Sequence, residues 1–236
     1  LQQRQNRCER AHIEDLEAHF SPGGSSEFLF SLFWQLYDFF GPQHWWPGQT
    51  PFEIAIGAIL TQNTAWKNVE KAIGNLKESQ GLSPSAIWAM PEGELAGLIR
   101  PAGYYNIKAG RLRNFVRVLM EQFDGSMEDL AARDEDATRE MLLEIKGIGP
   151  ETADSIILYA LEKPSFVVDA YTFRILERHD VIDSSWDYHM LRDFFMDNLP
   201  ADVCLFNEFH ALFVAAGKAF CKPRRPACDD CPLDGF

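Results

Sequence analysis

Several things are scarce or missing in this 236-residue chain, and each absence narrows the field. No uninterrupted apolar run approaches the ~20 residues a membrane-spanning helix needs. The opening residues also lack the short apolar core of a signal segment. No membrane partner is expected. Basic residues are few: 22 Lys and Arg against 35 Asp and Glu leave a net charge of −13. Taken alone, that balance argues against nucleic acid, because neutralising phosphates takes Lys and Arg. Five cysteines, three of them gathered in residues 221–231, do not make the disulfide framework of a small secreted domain. The cytoplasm is the expected compartment. Period-2 alternation, internal repeats and low-complexity tracts are missing too, so the predicted class is all-α. The chain opens on Leu1, so the natural start is expected upstream.

What is present begins with uneven charge. Residues 96–120 hold no acid but include Arg100, Lys108, Arg111, Arg113 and Arg117. A second basic group is Lys218, Lys222, Arg224 and Arg225, while acids crowd into Glu121 to Glu144. A local basic footprint on an acidic body is compatible with modest, salt-sensitive binding of a polyanion.

Residues 1–26 are polar and end in Ser-Pro-Gly-Gly-Ser-Ser, which reads as a frayed or weakly helical lead-in and linker. Apolar helices are predicted over 28–40 and 52–60, separated by an aromatic loop that contains Trp45 and Trp46. Thr61-Gln62-Asn63-Thr64 then offers caps for a helix over 65–79 that starts with Trp66. Further helices fit 84–89, 92–99, 106–122, 126–131, 135–145, 152–161, 169–178, 187–198 and 203–220. A chain of this length can bury a sizeable core as one large domain or two small lobes.

The stretch from 141 to 175 organises the rest. Leu142, Leu143 and Ile145 close one helix, and Lys146-Gly147-Ile148-Gly149-Pro150-Glu151-Thr152 turns into a second. Both glycines are expected to take backbone angles closed to other residues, and Pro150 suits a first helical position. Such a turn points backbone N–H groups and a helix N-terminus outward, where a phosphate oxygen can dock. A plain helical hairpin would look the same from the glycines alone. Val167-Val168-Asp169 follows, with Asp169 well placed to cap a helix.

Leu-x-x-Ile-Lys-Gly-Ile-Gly-Pro-Glu-Thr-Ala followed by Val-Val-Asp-x-Tyr-x-x-Arg resembles the endonuclease III superfamily of DNA glycosylases. The resemblance runs from about Phe28 to the C-terminus. It implies two helical lobes with a cleft, a six-helix barrel at 44–163 and a second lobe from 27–43 with 164–236. Lys146, Gly147, Ile148, Gly149 and Thr152 would bind DNA. Asp169 would stabilise the oxocarbenium-like sugar formed as a base leaves, and activate water. Eighteen residues earlier, bifunctional members carry a Lys nucleophile; this chain has Glu151, which cannot form an imine.

Trp45-Trp46-Pro47, Leu60 to Trp66, and Arg100-Pro-Ala-Gly-Tyr-Tyr-Asn-x-Lys108 are similar to the 3-methyladenine glycosylases of this superfamily. Trp45, Trp46, Trp66 and Glu151 would then line a pocket for a flipped base. Indole faces attract a positively charged alkylpurine, although paired aromatics are also ordinary core residues. Gln62 and Asn63 align with the loop that family members push into the gap, and would serve equally well as helix caps.

Cys221-x6-Cys228-x2-Cys231, with Lys222, Arg224 and Arg225 in its first loop, resembles the [4Fe-4S] loop of endonuclease III-like enzymes. The fourth Cys would fall at position 237, just beyond Phe236; a degenerate loop is the other possibility. Zinc is a less fitting occupant. The implied protein is a monomeric, nucleoid-associated, monofunctional glycosylase that acts on double-stranded DNA containing a damaged base, 3-methyladenine being favoured. Alternatives are a mismatch thymine or uracil glycosylase and a non-catalytic DNA-binding module.

Overall fold

The computed structural model describes residues 9–20, 23–45 and 48–236. In chain order its helices are α1 (Arg10–His19), α2 (Gly24–Phe40), α3 (Pro51–Thr61), α4 (Trp66–Glu78), α5 (Pro84–Ala89) and α6 (Glu92–Leu98). A 3-10 turn (Arg100–Ala102) leads to α7 (Tyr105–Phe123), α8 (Met127–Ala132), α9 (Glu135–Glu144) and α10 (Pro150–Ser155). A π turn (Ile156–Ala160) precedes α11 (Ala170–Arg178), α12 (Tyr188–Asn198) and α13 (Val203–Ala219). No strand occurs among the described residues, and none of their helices is long and apolar enough to cross a membrane. The class is all-α. Two compact units form, one from Leu1–Trp46 with Pro164–Phe236 and the other from Pro47–Lys163.

The first unit is built on aromatic burial. Phe166, just before Asp169, stacks on Phe195 of α12 at 3.9 Å, and Phe209 stacks on Phe213 of α13 at 4.9 Å. Each such pair adds about 0.5–1.5 kcal/mol beyond area burial. Residues 10–19 depart from the lead-in reading of 1–26, of which residues 1–8, 21 and 22 lie outside the described residues. Their apolar pattern is sparse, and tertiary contacts supply what periodicity does not. Ile13 is fully buried, Arg10 pairs with Asp38 and lies 4.7 Å over the Trp34 ring, and Trp34 Nε1 donates to Glu17.

The second unit is organised around α3, which is buried from Phe52 through Leu60. Thr50 caps it, accepting from Glu53 N at 3.1 Å, with Pro51 at the first position. Val69, Ile73 and Leu76 of α4, Leu112 and Phe115 of α7, and the π turn complete this core. A single helix over 152–161 is replaced by α10 and the π turn. The turn residues Ile156 to Ala160 are all buried, so no polar face holds them to an α register. Arg139 grips the fully buried Asp154 with two bonds of 2.7 and 3.0 Å. Removing one partner of such a pair costs about 3–5 kcal/mol.

Candidate functional site

In the first unit, the buried extended run Phe166-Val167-Val168 delivers Asp169 to the N-terminus of α11. Its Oδ1 accepts from Tyr171 N at 2.8 Å, Thr172 N at 2.9 Å and Thr172 Oγ1 at 3.1 Å. Its Oδ2 lies 3.5 Å from Nε2 of His210 on α13, an ion-pair separation rather than a tight hydrogen bond. Burial works against the charge. His210 and the Thr172 donors outweigh it and hold the Asp169 carboxyl below the usual carboxylate range. The acid is therefore ionised at neutral pH.

The helix opposite is shaped for this. Gly217 of α13 faces Tyr171 so closely that a Cβ there would lie 2.2 Å from the ring. The lack of a side chain thus sets how near α13 comes to the capped end of α11. Also on α13, buried Glu208 accepts from Gln43 N and so anchors the loop that follows α2. Burial pushes the Glu208 carboxyl up, against the pull of the Gln43 and His44 N–H groups. That loop carries Trp45, whose ring stacks on His210 at 5.4 Å and 15°, with Lys218 Nζ 5.8 Å from the ring. Trp46, the other half of the aromatic pair, lies outside the described residues.

In the second unit, the hairpin between α9 and α10 gives its two glycines different tasks. Gly147 has φ +100°, and a Cβ there would lie 2.4 Å from Cγ of Arg111. Gly149 is extended at φ −97°, which any residue adopts, and its missing Cβ would point into open space. Strained angles are thus needed at one glycine, not both. Among the described residues no backbone carbonyl takes the N–H of Gly147 or Gly149. Lys146, Gly147 and Gly149 form the exposed edge, whereas Ile148 and Thr152 are buried and seat the hairpin.

Gln62 is committed to that seat. Its Nε2 donates to Thr152 Oγ1 at 2.7 Å and to Gly147 O at 3.2 Å, and its Oε1 accepts from Arg111. Asn63 beside it is exposed with φ +52°. Of the two amides, Asn63 is the one that projects. Lys108 fixes the same turn from beneath: its buried Nζ donates to Leu60 O at 2.7 Å, Thr64 Oγ1 at 2.6 Å and Ala102 O at 2.8 Å. Burial first, then Arg111, lowers this ammonium to about 8. The basic stretch of α7 is thus spent largely inside the fold, since Arg113 also donates to Met90 O. Exposed Tyr104, in left-handed backbone beside the 3-10 turn, is a further surface aromatic of this region.

Residues 56–201 match the family described as HhH-GPD superfamily base excision DNA repair protein. The chain belongs to that superfamily. A Methanocaldococcus jannaschii protein provisionally named a DNA repair glycosylase is 46% identical over 212 residues, covering 89% of this chain and 96% of the relative. Endonuclease III of Thermotoga maritima is 30% identical over 183 residues, covering 78% and 80%. The solved structure of the H. pylori 3-methyladenine DNA glycosylase bound to 1,N6-ethenoadenine superposes with a TM-score of 0.70 at 32% identity, covering 82% of this chain and 97% of that one.

The remaining expected residues of this HhH-GPD protein fall as follows. Trp66 opens α4 and is half-buried, and Glu151 is exposed in the first turn of α10. Cys221, Cys228 and Cys231 carry free thiols and line one cavity of about 200 Å³ together with Arg178 and Ala227. Burial pushes the Cys231 thiol up, and the neighbouring Cys221 and Cys228 add to this. Arg178 Nη1 lies 3.2 Å from Cys221 Sγ and donates to Lys222 O at 2.9 Å. Three thiols converging on one space beside a cation fit an anionic iron–sulfur cluster. Lys222, Arg224 and Arg225 are exposed on the loop around it. Of the two unassigned cysteines, Cys204 is disulfide-bonded and Cys8 lies outside the described residues. His210, Glu208 and Gly217 escaped the sequence reading, and Arg111 reads there only as part of a basic footprint: each acts on a partner far along the chain.

Proposed function

We propose that this chain is a monofunctional DNA glycosylase that hydrolyses the N-glycosidic bond of a flipped alkylated purine, 3-methyladenine being favoured. The observation that carries the reading is Asp169 at the start of α11, with Oδ1 taken by three cap donors and Oδ2 turned to His210 rather than to the cap. The alkylated base already bears positive charge, so it takes the bonding electron pair and leaves neutral without a proton donor. The sugar passes through an oxocarbenium-like state that the carboxylate stabilises. Water adds its oxygen to C1′ and its proton passes to Asp169. Glu151 cannot serve as an amine nucleophile, which supports water in that role.

Hairpin N–H groups at Gly147 and Gly149 suit a phosphate of duplex DNA, and Lys222, Arg224 and Arg225 suit another. Asn63 is the amide available to the gap a flipped base leaves. Indole faces such as that of Trp66 suit a cationic base, and Trp45 stacks on His210. When bound, the cluster would be held by Cys221, Cys228 and Cys231 and would order the basic loop. The likeness to the H. pylori enzyme favours an alkylated purine over other lesions.

The test is a panel of duplexes carrying methylated purines, a uracil mismatch or a thymine mismatch, with the freed base identified chromatographically. Release of 3-methyladenine is expected. Release of uracil or thymine alone would assign the mismatch reading, and stable binding with no base released would leave a binding module.

A further inference from the structure

We infer that His210 is a positioning residue for Asp169, and that Trp45 clamps its ring. The inference rests on the role of Asp169 proposed above. The cap donors all converge on Oδ1, so they fix one oxygen and leave the carboxylate plane free to turn about it. His210 Nε2, 3.5 Å from Oδ2, is the group that selects the orientation of the second oxygen, the one offered to sugar and water. An imidazole can do so only if its own ring is fixed. Trp45 stacks nearly parallel on it, and the loop bearing Trp45 is tied by Gln43 N to Glu208, two residues before His210 on α13.

Glu208 and His210 therefore form a two-residue device on one helix: one holds the clamp, the other holds the acid. Asp169 of α11 meets the imidazole at 3.5 Å, Lys218 lies 5.8 Å from the Trp45 ring that stacks on it, and Glu208 and His44 interact with each other at the clamp loop. His210 is one of the groups that hold the Asp169 carboxyl low, so its removal should raise that carboxyl and weaken its aim.

His210→Phe keeps the ring stacked under Trp45 and deletes Nε2; His210→Gln restores an N–H donor. Single-turnover base release from methylated duplex is measured across pH for both, beside wild type and Asp169→Asn, with duplex affinity and thermal melting recorded. His210→Phe is expected to lose about ten-fold in rate, as for one close ionic contact in a partly buried site, with affinity and melting unchanged. Its acidic limb moves to higher pH, because the active form is the ionised carboxylate. His210→Gln recovers part of the rate and of the limb. A His210→Phe profile that coincides with wild type, while Asp169→Asn is inactive, overturns this inference alone. Wild-type release that persists in Asp169→Asn overturns the reading beneath it, and this inference with it.

Discussion

At Asp169 the chain spends donors, and at the hairpin it keeps them. Three donors of α11 converge on one carboxylate oxygen in the first unit, whereas the N–H groups of Gly147 and Gly149 in the second have no backbone acceptor among the described residues. Both regions are helix N-termini, so the same dipole and the same orphan N–H groups are available to each. The difference lies in what fills them. An internal carboxylate fills one terminus, and at the other the glycine N–H groups keep no backbone acceptor among the described residues. Supporting residues follow the same division. His210 and Glu208 aim a side chain, while Arg111, Gln62 and Thr152 brace a backbone.

Substitutions can break this comparison at either end. The largest effect is expected for Asp169→Asn. Asn remains a good cap, so folding should hold while single-turnover base release falls about a thousand-fold. Next is the pair of hairpin glycines. Gly147→Ala should destabilise the fold by about 2–3 kcal/mol, from positive φ and contact with Arg111. Gly149→Ala should leave melting unchanged yet weaken duplex affinity, because its Cβ enters only outside space. Equal melting losses at both positions would dissolve the distinction.

Gly217→Ala should cost about 1–3 kcal/mol by forcing Tyr171 away from α13. Base release should fall with it, since Tyr171 N is one of the Asp169 donors. The smallest effect concerns Lys108, which titrates near 8 in the fold against 10.5 in a model peptide. Between those values the unfolded chain binds the extra proton, so its contribution to stability rises with pH from about 8 to about 10.5. Denaturant titrations of wild type and Lys108→Met across that window should show a pH slope in the first that is missing in the second.

Sequence patterns made the all-α class legible, because apolar residues recur at helical spacing from Phe52 to Ala219 and capping residues mark most starts. Asp169 and the hairpin could be read for the same reason: their motifs are contiguous. What escaped depends on distant pairs. His210 looks like one more residue of an apolar helix until α11 is placed against it. Lys108 reads as part of a basic footprint until its ammonium is found among three oxygens. Gln62 reads as a gap-filling amide or a helix cap until Arg111 and Thr152 take its side chain. The helix at 10–19 reads only as a weakly helical lead-in because its stability comes from Trp34, Asp38 and a buried Ile13 rather than from its own pattern.

The central claim is that an ionised Asp169 directs water, with no amine attached to the sugar at any stage. Incubating wild type with methylated duplex in the presence of borohydride, then scoring adduct, free base and strand breaks before and after alkali, tests it most directly. The expected result is free 3-methyladenine, no protein–DNA adduct, and breaks that appear only after alkali. A borohydride-trapped adduct accompanied by breaks without alkali would contradict it, and would point to a lysine as the nucleophile.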